Sequence, residues 1–136
     1  MLAKSTALGI LTFVASGFVT SHSAHAALSI GCADMKSDSS IDILLGAGPV
    51  PNFLSVTIVL GERRLTTVPD QPGEQVRIAQ AYDNGEVVRV DLIDPQAEKK
   101  MAVIRIIRAE SETDPLQIGY VQVEGSVPVG ITCEGP

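Results

Sequence analysis

The sequence predicts an all-β domain, a small closed or nearly closed antiparallel barrel of about eight strands clasped by a disulfide between its two ends. Three observations carry this reading. From residue 28 onward apolar and polar residues alternate with period two, and valine and isoleucine dominate the apolar phase. Glycine, proline, asparagine and aspartate interrupt the alternation at short intervals. The only two cysteines, Cys32 and Cys133, fall in the first and last of the expected strands.

Residues 1–26 read as a segment apart. Lys4 precedes an apolar run from Ala7 to Val19, and a short polar stretch ends in Ala24-His25-Ala26. Basic, then apolar, then small-x-small is the layout of a secretory signal peptide, with cleavage expected after Ala26. The run is too short to span a bilayer core of about 30 Å comfortably as a helix. A lipid anchor on Cys32 is the minor alternative. Leu28 stands one place too far from that cysteine, and bulky Ile30 occupies a position that favours small residues.

Removing residues 1–26 leaves a single domain, residues 27–136, without histidine or tryptophan. Nine basic residues face sixteen acidic ones, a net charge of −7. An even cysteine count in an exported chain points to a disulfide. The residue types speak against the rivals, because no Cys-x-x-Cys is present and two cysteines without histidine are too few for a zinc site.

The strands follow in order. Leu28, Ile30 and Cys32 alternate with Ser29 and Gly31, and Ile41, Ile43 and Leu45 repeat the pattern. After GAGPVPN come Leu54, Val56, Ile58 and Leu60, and Gly61-Glu62 suggests a hairpin into Arg63–Val68. PDQPGE leads to a strand from Val76 to Tyr82, and Asn84-Gly85 is a strong hairpin signal. Val88, Val90 and Leu92 line the next strand, then DPQAEKK turns the chain, with room for one helical turn. Ala102, Ile104 and Ile106 precede the turn SETDP. Leu116, Ile118 and Tyr120 continue, with Gly119 as an expected bulge where the apolar phase shifts to Val121 and Val123. Glu124-Gly125 then turns the chain into Val127, Val129, Ile131 and Cys133. Runs such as VVRVDLID and MAVIRIIR are too dense in branched residues for a one-sided helix.

Cysteines need Cα atoms within about 7 Å to bridge, so a Cys32–Cys133 disulfide brings the first and last strands together. That closure favours a barrel, with a Greek-key β-sandwich as the alternative.

The residue inventory narrows the function. Without histidine, His-assisted serine or cysteine catalysis is excluded, and no enzyme, metal or cofactor is expected. The acidic groups Asp34-Asp38-Asp42 and Glu110-Glu112-Asp114 do not follow a calcium-loop spacing and read as solvated loops. Net negative charge and few aromatics argue against nucleic acid.

Two candidate contact elements stand out. The rigid loop around Pro49, Val50, Pro51 and Phe53 offers a partner-contact surface, or else a corner that buries Phe53. Arg63, Arg64, Arg77 and Arg105 would form an anion patch if they face one way, or else pair with carboxylates across strands. Val87, Ile93, Val103 and Ile107 sit on the phase opposite the core, an apolar excess for a monomer's exterior. The expected function is that of a small exported, non-enzymatic module that binds an unknown protein partner. Its charge suits an acidic inhibitor or binder of a basic protein. The alternatives are an envelope-associated subunit of an assembly and a small carrier of apolar ligands.

Overall fold

In a computed structural model of the chain, which describes residues 27–111 and 115–136, one sheet contains every strand. The expected signal segment lies outside the described residues. The strands are β1 (Leu28–Ala33), β2 (Ser39–Gly46), β3 (Asn52–Leu60), β4 (Arg63–Thr66), β5 (Glu74–Gln75), β6 (Arg77–Asp83), β7 (Val87–Ile93), β8 (Lys100–Ala109), β9 (Leu116–Val123) and β10 (Val129–Glu134). Their order across the sheet is β5-β4-β3-β2-β1-β10-β9-β8-β7-β6. All neighbours pair antiparallel except β4 and β5, which are parallel.

The topology makes a nearly closed barrel and removes the sandwich alternative. Cys32 and Cys133 are direct register partners in the β1–β10 ladder, and their sulfurs are bonded. Both are buried, on the inward phase that the alternation predicts. The sheet's two edges, however, are not at the disulfide. They are β5 and β6, separated along the chain only by Val76. The strand expected over Val76–Tyr82 therefore divides its pairing. Its first part lies along β4, where the Val76 N–H donates to the Thr66 carbonyl, and the remainder pairs with β7. That division is why ten strands are present.

The interior is aliphatic. Among the described residues the fully buried large side chains include Ile30, Ile41, Ile43, Val56, Ile58, Leu65, Val88, Val90, Leu92, Ile104, Ile106, Val121 and Val123. An arginine-centred network caps each mouth. At one end Arg108 reaches Asp83 at 2.6 Å, Gln117, and the Pro136 carbonyl. At the other, Arg63 holds both carboxylate oxygens of Glu74 and donates to the Glu124 carbonyl. Hydrogen bonding to Arg63 keeps the Glu74 carboxyl below the usual range.

Three local expectations are corrected. β9 carries no bulge at Gly119; its ladder to β8 is continuous. Gln117, Gly119, Val121 and Val123 point inward, leaving Leu116, Ile118 and Tyr120 outside. Glycine is required at 119 because a Cβ there would overlap the Arg105 carbonyl oxygen and press on Ile106. The bulges fall instead between Leu44 and Leu45, between Ile78 and Gln80, and between Leu92 and Ile93. DPQAEKK forms no helical turn: Asp94 Oδ1 accepts the Glu98 and Lys99 N–H groups, and Ala97 takes a positive φ of 62°. The hairpin at Asn84-Gly85 is present, with only Gly85 at positive φ. There Asn84 Oδ1 accepts the N–H groups of Glu86 and Val87.

Candidate functional surface

The barrel exterior is uneven. Outward positions of β1 and β10 are Ser29, Gly31, Ala33, Gly130, Thr132 and Glu134; those of β2 and β3 include Ser40, Asp42, Ser55 and Thr57. These are mostly small, hydroxylated or charged. Across β6–β9 the outward positions are large. Val87, Ile107 and Ile118 form one cross-strand row that continues to Thr132. Ile107 is 59% exposed and Ile118 45%. The next row runs Tyr82–Arg89–Arg105–Tyr120. It contains both tyrosines of the chain. The one after is Gln80–Asp91–Val103–Gln122.

The electrostatics of this face are specific. Asp91 is joined to Lys100 Nζ at 3.0 Å and to Arg105 Nη2 at 2.6 Å. The Arg105 contact lies outside hydrogen-bonding geometry at Asp91 Oδ1, so it is best described as ionic. Burial alone would raise the Asp91 carboxyl; Lys100 and Arg105 outweigh it and hold the group below the usual carboxylate range. Arg105 Nη1 also donates to the carbonyls of Val90 and Ile104. Arg89 is different. It stands directly opposite Arg105 in the ladder, and among the described residues its side chain has no hydrogen bond or ion pair. Like charges directly opposite one another in a sheet are unfavourable. A groove of about 500 Å³ lies over this face, lined by Gln80, Ala81, Tyr82, Asn84, Val87, Arg89, Asp91 and Arg105.

The four arginines of the expected anion patch do not form one patch: Arg63 and Arg64 line one groove and Arg105 another. Arg63 is held by Glu74, Arg64 by Gln71, Arg77 by the Pro95 carbonyl and Arg105 by Asp91. Only Arg105 lines the groove over β6–β9, and its companion is Arg89. In the Pro49–Phe53 loop, Pro49, Val50 and Pro51 are exposed, while Phe53 is partly buried against the core opposite Leu45. Of the acidic groups, Asp34 caps its own turn by accepting the Ser39 N–H, and Glu112 and Asp114 lie outside the described residues. Among the described residues no cluster of possible metal ligands forms, and no helix is long and apolar enough to cross a membrane.

On the far side of the barrel, Asp42 and Glu134 flank Gly31 in a single row, beside a shallow groove of about 560 Å³. The chain matches no family model, no curated protein and no solved structure in comparison with known proteins.

Proposed function

We propose that this chain is a small, exported, non-enzymatic protein-binding module whose contact surface is the outer face of β6–β9. One observation carries the reading: exposed Ile107, Ile118, Leu116, Tyr82 and Tyr120 gather with Arg89 and Arg105 in adjacent rows of one face. Contiguous exposed apolar surface marks interaction sites, and tyrosine and arginine are the residues most enriched among binding hot spots. The disulfide supports export, since such bonds persist in oxidising compartments. The aliphatic filling of the barrel leaves the apolar-carrier reading without a supporting feature.

The test is capture of a partner from envelope extract by the immobilised domain, repeated with Ile107→Glu and Ile118→Glu. Both positions are exposed, so stability should change little. Captured partner should fall at least tenfold for each, whereas Val127→Glu, on an exposed hairpin elsewhere, leaves capture unchanged. Full capture by the two face variants sinks the reading.

A second reading has its own observation. The row Asp42–Gly31–Glu134 places two carboxylates beside a groove, which suits a lysine or arginine of a basic partner. Under that reading Asp42→Asn with Glu134→Gln abolishes salt-sensitive binding, and the β6–β9 variants do not.

A further inference from the structure

The seam of the barrel adds something the face alone does not. β4 ends at Thr66, and beyond it the Thr67 N–H donates to the Val56 carbonyl before the chain departs at Pro69. Asn52–Ser55 of β3 therefore pair only with β2, and the whole of β6 pairs only with β7. The openness shows in the side chains. Ala81 stands opposite Val90 on the inward phase, yet it is exposed and lines the outer groove. Thus the groove runs onto an unpaired strand edge. Such an edge presents a row of backbone donors and acceptors that an extended peptide satisfies by adding as a strand.

We propose that the edge of β6, over Gln80–Asp83, takes an extended, glutamate-bearing segment of a partner polypeptide as an added strand, with the glutamate carboxylate held by Arg89. This rests on the outer-face reading, because it places the partner on that face. Charge identifies the occupant. On a chain with a net charge of −7 after loss of the leader, the charged residues lining this groove are Arg89 and Arg105 against the single carboxylate of Asp91. Asp91 is committed to Lys100 and Arg105, and Arg89 remains without an acid. A ligand carboxylate beside Arg89 relieves the like-charge pairing with Arg105.

Reach selects the side chain. An added strand lies about 4.8 Å beyond β6, hence roughly 9.6 Å from β7, where Arg89 sits. An extended arginine and a glutamate bridge that distance between them, passing over Tyr82. The bulge between Ile78 and Gln80 shortens the usable edge, which disfavours long edge-to-edge pairing with a second copy and suits a short segment.

The experiment uses the isotope-labelled, disulfide-bonded domain and two blocked heptapeptides, one alternating valine with glutamate and one alternating valine with lysine. The glutamate peptide should shift the amide resonances of Gln80–Asp83 and the Arg89 side-chain resonance saturably, and the lysine peptide should bind at least tenfold more weakly. Arg89→Ala should weaken the glutamate peptide about tenfold, with Arg89→Lys between. Equal response to both peptides, shifts centred on other strands, or no shift at millimolar peptide overturns the proposal. The two readings separate cleanly. If the peptides fail while capture still depends on Ile107 and Ile118, strand addition falls and the face stands. If the glutamate peptide titrates β6 while the face variants keep full capture, the strand site stands and the face falls.

Discussion

Opening the Cys32–Cys133 bond removes the one covalent constraint on the most distant pairing in the barrel. The two sulfurs close a loop with a sequence separation of 101. The chain-entropy relation for a loop of that size gives about 4.7 kcal/mol at 25 °C, nearly all of it from the unfolded state. A domain of this length has an unfolding entropy of about 0.23 kcal/mol/K, so the melting temperature should fall by about 20 °C. In urea, with a slope of about 1.5 kcal/mol/M, the midpoint should fall by about 3 M. The slope itself should increase, because the untethered chain exposes more surface when unfolded. Two samples are compared with the oxidised domain: the reduced wild type, and the Cys32→Ala/Cys133→Ala variant. Both should lose similar stability, since the tether is absent from both. Refolding should also slow, because the β1–β10 contact then has to be found across the whole chain. A midpoint shift below about 1 M in both samples refutes the reasoning. Loss in the alanine variant alone would show that the sulfurs matter as packing rather than as a tether.

Other perturbations test the remaining structural claims. Gly119→Ala forces a Cβ against the Arg105 carbonyl and should cost about 3 kcal/mol in urea denaturation, an effect a mere turn glycine would not show. Arg108→Met leaves Asp83, whose side chain is 8% exposed, without its partner and should cost about 3 kcal/mol; Arg108→Met with Asp83→Asn should recover part of it. Asp91 titrates below the usual carboxylate range in the folded state, so its contribution is present above the unfolded value near 4 and is lost as pH falls through the folded value. Asp91→Asn should therefore cost about 1 kcal/mol at pH 7 by thermal denaturation and little at pH 2, and an equal cost at both would contradict the ion-pair assignment.

The fold was readable because most strands obey one rule. In β1, β2, β7 and β8 the inward phase is almost wholly Ile, Val, Leu, Ala or Cys, so period-two alternation alone located them. The disulfide turned that list into a nearly closed barrel. What alternation did not locate was the seam, because Val76 is a single buried residue between two pairings that lie on opposite sides of the same extended segment. Nor did it separate the partners of the arginines. Tyr82, Arg89, Arg105 and Tyr120 are far apart in the chain, and only the register of three ladders brings them into one row.

In β9 the expected bulge and the proposed contact face have a common origin. Its inward phase takes Gln117, which donates to the Gly135 carbonyl and receives Arg108, and Gly119, which permits a close strand approach. Its outward phase takes Leu116, Ile118 and Tyr120. Hydrophobicity there is inverted along half the strand, so the apolar pattern pointed to a slip in the ladder. The same excess was visible in Val87, Ile93, Val103 and Ile107 of β7 and β8, and it was ambiguous while a second covering sheet remained an alternative. A single-layer barrel has no such cover. Apolar residues on both phases of β7, β8 and β9 then face both the interior and the exterior, and the outward ones are the basis of the proposed contact face. Strands β1 and β10 instead keep small, hydroxylated or charged residues outward. Local departure from one-sided alternation is thus the feature on which the proposed contact face rests.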